Sequence, residues 1–277
     1  MLMGHCHLFP GGFGEAKRDS FGVPGTAEHL FMFMRACGFD QTLALAPNED
    51  PAAPSVKSRI EGADSLGWLL SQVRVGTDAA AALLPAATIR PNHPSGVEKL
   101  RAARSRGVRF LKIHPLIMRC DTLDPACAPF FALAAEARMP IVYHTGSGNW
   151  DWNTDATRPS ACAGLADRFP GLPILMAHCG VFGGSDDFEQ AVSACEAHSN
   201  LYLETTAALL SVHRDRWLDA LYRVGPSRIV YGNDYPWATI ASVEEELAFL
   251  DSLGLTADER ADILGSNLRD LWTAAHP

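Results

Sequence analysis

Short apolar, β-prone runs recur along the whole chain, at Met1–Cys6, Thr42–Ala46, Ala86–Ile89, Val108–Ile113, Pro140–Tyr143, Pro173–Ala177, Leu201–Leu203 and Arg228–Tyr231. Between them lie stretches whose apolar residues return at helical spacing, among them Gly96–Arg106, Pro129–Arg138, Phe188–His198 and Val243–Leu253. A strand followed by a helix, repeated in this way, is the pattern of parallel βαβ units, and continuous apolar runs suit strands covered on both faces. Repetition on this scale predicts an α/β fold, a single (β/α)8 TIM barrel over residues 1–277, rather than an open sheet. Local signals predict where helices begin and end. Thr256 and Glu259 have the spacing of a capping box, and Gly107, Gly171 and Asn200 stand where helices should stop. The second loop and helix fall within Asn48–Gly76, where the pattern sets no clear boundary.

Composition narrows the function classes. The chain has 277 residues and 47% hydrophobic content, enough for a sizeable core. Its formal net charge of −9 excludes the basic footprint that a nucleic-acid partner requires. Seven cysteines without a C-x-x-C pair make neither a disulfide framework nor a structural zinc site, and reduced thiols in a cytoplasmic protein are expected. No run reaches the ~20 apolar residues of a membrane span, and Met1–Pro10 lacks the apolar core of a signal peptide. A small-molecule substrate and no membrane partner are therefore expected, with a homo-oligomer left open.

The chemistry is carried by where the polar residues fall. His5 and His7 close the first strand as G-H-C-H, and a period of two puts both imidazoles on one face with Cys6 opposite. Neutral imidazoles at that spacing can share one cation, yet an isolated H-x-H pair is also what chance supplies. His144, His178 and Asp234 each follow an apolar run and precede turn residues. In a (β/α)8 barrel that end of every strand carries the active site, so four such positions together point to one site.

Several motifs resemble the amidohydrolase superfamily, and within it the amidohydrolase-2 family that includes aminocarboxymuconate-semialdehyde decarboxylase. They are H-C-H-L-F-P from His5, L-K-I-H-P at Leu111–Pro115, P-I-V-Y-H-T-G at Pro140–Gly146, R-F-P-G-L-P-I-L-M-A-H-C-G at Arg168–Gly180, Y-G-N-D-Y-P-W at Tyr231–Trp237 and I-L-G-S-N-L at Ile263–Leu268. The resemblance implies one divalent metal held by His5, His7, His144 and Asp234, with Asp234 also taking a proton from a bound water. It implies that His178 polarises substrate or transfers a proton. Zinc suits such a set, with manganese or iron as alternatives.

Lys112 and His114 share a strand face. Lys112 either pairs with a carboxylate or reaches toward substrate, in preference to a carboxylated lysine bridging two metals, so a second metal is not expected. His114 is read either as a loop histidine or as a site residue. Trp150 and Trp152 either sandwich a planar acid or pack their loop onto the barrel. Arg158 could bind a substrate carboxylate bidentately, and Trp237, Arg90 and Glu204 also sit at strand ends. Cys6 and Cys179 adjoin site residues without a partner that would make either a nucleophile. The glycines of Phe9–Gly25 suggest a mobile lid. The leading functional reading is a hydrolase of an ester, lactone, amide or related bond in a small carboxylated molecule, through metal-activated water. The alternative is a non-oxidative decarboxylase of a dienoic or aromatic acid. A non-catalytic metal-binding barrel is the third.

Overall fold

A computed structural model describes residues 1–12, 20–48, 64–73, 81–146, 154–182 and 187–275. The described strands are β1 (Leu2–His7), β2 (Gln41–Leu45), β3 (Leu83–Thr88), β4 (Phe110–Ile113), β5 (Ile141–His144), β6 (Ile174–Ala177), β7 (Leu201–Glu204), β8 (Ile229–Val230) and β9 (Gly232–Tyr235). They form one parallel sheet in the order β8-β7-β6-β5-β4-β3-β2-β1-β9. Tyr231 alone separates β8 from β9, so the two are halves of one eighth strand. The lower half pairs with β7 and the upper half with β1. That shared strand closes the sheet into the TIM barrel expected from the repeat.

Strand alternation sorts the core into two layers. Leu43, Phe110, Val142, Leu175 and Val230 pack together inside the barrel with Leu268 and Leu271 of the last helix. Residues of the opposite parity, such as Leu111, Ile141, Ile174 and Leu203, pack between barrel and helices. Two residues beyond the inward-facing Phe110 and Val142 stand Lys112 and His144. The same period that fills the barrel therefore delivers polar side chains to its upper rim. The I-L-G-S-N run ties the last helix underneath. Asn267 donates to the carbonyls of Pro226 and Ile229, each at 2.8 Å.

Most boundaries match the sequence pattern within a few residues, including the Thr256–Glu259 capping box. Two helix stops do not. Gly107 adopts φ 84°, as a left-handed stop should, whereas Gly171 and Asn200 are not in that conformation. Asn200 instead donates from its side chain to the carbonyls of Phe169 and Leu172. Within Asn48–Gly76 the described helix is Ser65–Val73. The centre of the glycine-rich loop expected to act as a lid lies outside the described residues. Its ends are joined by a hydrogen bond from Phe9 N to Gly25 O at 2.9 Å. Among the described residues no helix is long and apolar enough to cross a membrane.

Candidate functional site

β1 does not run straight into the site. Its register slips against both neighbours between Met3 and Cys6, and His5 takes φ 58°. Across the seam, Asp234 takes φ 59° at the place where β9 gains a residue against β1. Bulges re-aim side chains at barrel rims, and a left-handed backbone is costly for residues other than glycine. Here the paired bulges turn the His5 imidazole and the Asp234 carboxylate toward each other. His178 and Cys179, just past β6, are also left-handed, at φ 69° and 47°. Backbone strain thus gathers where the polar side chains converge.

His5 Nε2 lies 3.4 Å and His7 Nε2 lies 3.3 Å from the same oxygen, Asp234 Oδ1. One donor atom from each of the three residues lies within 4.8 Å of both others. A tetrahedral ion with bonds of ~2.0–2.1 Å requires donor edges of about 3.3–3.4 Å. The chemistry of the donors agrees. Burial drives the pKa of His5 well below its ordinary value and also lowers that of His7, which keeps the imidazole lone pairs available. Burial alone would raise the Asp234 carboxyl, but His5, His7 and His178 hold it well below the usual carboxylate range. The three residues therefore fit a divalent cation.

The fourth expected ligand, His144, is outside that group. Its ring stacks on His114 at 3.8 Å, meets His178 edge-on at 4.7 Å, and its Nε2 faces the Gly146 carbonyl at 3.1 Å. His178 lies beside His5, with ring centroids 5.1 Å apart. Its Nδ1 is a buried polar atom without a hydrogen-bond partner among the described residues. An orphaned nitrogen at this point is expected where a ligand completes the site.

Beneath the donors runs a buried polar chain. Lys112 Nζ lies 3.0 Å from His5 Nε2, and His5 Nδ1 lies 3.2 Å from Glu204 Oε2. Glu204 Oε1 accepts from the Thr206 hydroxyl at 2.6 Å. Burial lowers Lys112 and raises Glu204, and their opposite charges pull each back toward its charged form. A hydrogen bond donated by His5 Nδ1 to the Glu204 carboxylate would fix the tautomer whose Nε2 lone pair faces Asp234. Sequence reasoning placed Glu204 at a strand end and gave it no role. The signal was present, because L-Y-L-E ends an apolar strand just as I-V-Y-H does. Replacing Glu204 by glutamine is expected to weaken divalent-metal affinity by roughly 10–100-fold, measured by chelator competition.

The remaining expected site residues divide. Trp237 is 55% exposed and stands edge-on to His7 and Phe9, at 5.6 and 5.8 Å, as an aromatic wall at the mouth. Lys112 is buried against His5 rather than presented to a ligand. His114 Nδ1 caps the one-turn helix Pro115–Met118 by accepting from Ile117 N. Arg158 is half-exposed and faces Asp155 at 3.0 Å and Asp187 at 3.9 Å, so carboxylates of the chain itself already occupy the fork expected to bind substrate. Trp150 and Trp152 lie outside the described residues. Burial pushes the Cys6 and Cys179 thiols well up, away from nucleophilic thiolates.

Comparison with known proteins agrees with this architecture. The model of the amidohydrolase family (Amidohydro_2) matches residues 4–273. An uncharacterised TIM-barrel protein from Bordetella bronchiseptica aligns with a TM-score of 0.77 at 16% identity, over 100% of both chains. A 2,6-dihydroxybenzoate decarboxylase from Rhizobium aligns with a TM-score of 0.65 at 15% identity, covering 98% of this chain and 98% of its own. A probable 2-pyrone-4,6-dicarboxylic acid hydrolase from Acinetobacter baumannii, solved with citric acid bound, gives a TM-score of 0.67 at 12% identity over 98% of both. Among curated proteins none matches the chain. With the family model spanning nearly all of its residues, the chain belongs to the amidohydrolase family.

Proposed function

We propose that this amidohydrolase-type enzyme is a single domain that hydrolyses an ester, lactone, amide or related bond of a small molecule, using one divalent metal held by His5, His7 and Asp234. The observation that carries the reading is the donor triangle, whose 3.3 and 3.4 Å edges suit a tetrahedral ion. Zinc is favoured by two imidazoles and a carboxylate, with manganese or iron able to replace it. A divalent cation bound there would lower the pKa of a coordinated water from ~15.7 toward ~7.

The chain's own residues supply the rest. Asp234, kept ionised by the surrounding imidazoles, holds the metal and accepts a proton from water. His178 presents its unpartnered Nδ1 to a substrate oxygen, polarising it or protonating the leaving group. Glu204 orients His5. Lys112, its pKa brought down to about 8 by burial, lies 3.0 Å from His5 Nε2 and offsets the buried carboxylates. His144 stays beside the site as the ring against which His114 and His178 pack.

His178→Asn tests the division of labour, since asparagine tolerates a left-handed backbone. Turnover should fall by roughly 10²–10⁴-fold while metal content stays unchanged. Loss of metal in this variant would instead place His178 among the ligands. The reaction itself is tested by assaying lactone and ester hydrolysis alongside carbon dioxide release from a panel of aromatic acids. Hydrolysis without carbon dioxide supports the proposal. Carbon dioxide release alone would replace it with decarboxylation, the reaction of the Rhizobium enzyme.

A further inference from the structure

A cavity of about 420 Å³ opens beside Asp234, walled by Phe182 beyond β6, Trp237 beyond β9, and Asn233, Ser242 and Glu246. Its polar capacity can be accounted for group by group. Asn233 Oδ1 accepts from Tyr235 N and its Nδ2 lies against the Met3 sulfur. Ser242 Oγ is used twice in capping the helix Ile240–Asp251, with Thr239 N and Thr239 O. Glu246 differs. It is 7% exposed, and one oxygen accepts from the Tyr231 hydroxyl at 2.6 Å. The other has no hydrogen-bond partner among the described residues. With Asp234 committed to the metal, what the described lining offers a ligand is the Glu246 carboxylate, and no lysine or arginine. Phe182 and Trp237 add exposed aromatic faces, 45% and 55% accessible.

We propose that this cavity is a substrate subsite for a protonated amine carried on an aromatic or apolar body, with Glu246 as the specificity-determining acceptor. As a subsite of the reaction it rests on the metal-dependent reading above. Three observations converge on a cation. A carboxylate on the cavity wall with one oxygen left without a protein partner among the described residues can accept from a donor on the ligand. Ring faces at the mouth attract ammonium groups. A carboxylate set against Glu246 would meet a like charge, with no lysine or arginine in the described lining to offset it. Burial also leaves the Glu246 carboxyl at about 7, so an ammonium partner is what would favour its ionised form. Little in the local pattern points to this residue, because Glu246 sits on the buried face of its helix with Val243 and Leu250, where an apolar side chain is the usual occupant.

The test titrates purified protein of measured metal content with benzylamine, benzyl alcohol and benzoate, following binding by ligand-observed NMR. Benzylamine is expected to bind at least about tenfold more tightly than the other two, as a charge-assisted hydrogen bond would give. Glu246→Gln should abolish that preference without lowering the melting temperature. Phe182→Ala, at an exposed position, should weaken all three probes. Benzoate binding as well as benzylamine, or a preference that survives Glu246→Gln, would overturn the proposal. Metal content separates the two readings. A benzylamine preference in a chain that holds no metal would uphold the cavity and sink the metal centre, while bound metal without the preference would do the reverse.

Discussion

Asp234→Asn is expected to lower turnover by at least about 10³-fold and to strip the metal, while the barrel stays folded. The carboxylate oxygen is the vertex shared by both donor edges, 3.4 Å to His5 and 3.3 Å to His7. An amide in its place brings no negative charge to the cation, and metal-assisted stabilisation of several kcal/mol is at stake. Asparagine accepts the left-handed backbone at φ 59° better than most residues, so the bulge in β9 should survive. Steady-state kinetics and elemental analysis of the same preparation check both halves. Unaltered activity in this variant would point to a reaction without the metal.

The second large effect is structural. A Cβ added at Gly232 would lie 1.6 Å from Glu204 Oε1 and 2.8 Å from Thr206 Oγ1. Both atoms are buried and bonded to each other, so neither can yield without leaving His5 unsupported. Gly232→Ala is therefore expected to cost about 3 kcal/mol or more in urea unfolding, by overpacking and by breaking a buried network. Adding Glu204→Ala should recover part of that loss, because the clash and the carboxylate disappear together. A single variant destabilised by less than about 1 kcal/mol would mean that Glu204 does not occupy the space beneath β9.

These two positions show what the sequence made legible. Asp234 was visible because it ends an apolar strand ahead of turn residues, a pattern that needs only local periodicity. The same reasoning located the H-x-H pair and the eight strands, and the motifs from His5 to Leu268 carried the family. What periodicity could not supply was the bulge. Strict alternation predicts His5 and His7 on one face, and both do reach the site, but His5 arrives there through a left-handed residue and a register slip that depend on strands distant in sequence. Nor could it show that Gly232 is small because Glu204 fills the space beneath it. Lys112 and Glu204 stand 107 and 199 positions from His5, and only barrel closure brings the three into one polar chain. His144 shows another limit of local pattern. A strand-end histidine reads like its neighbours, yet side-chain direction was decided by stacking on His114 and by the Gly146 carbonyl. Arg158 reads as a free anion binder until Asp155 and Asp187 are seen around it.

The most direct test is the metal content of chelator-free protein, by elemental analysis of the wild type and of His5→Ala. The account predicts close to one divalent ion per chain, lost in the variant together with activity. Well under one ion in the wild type, with metal content and activity both unchanged in His5→Ala, would contradict it.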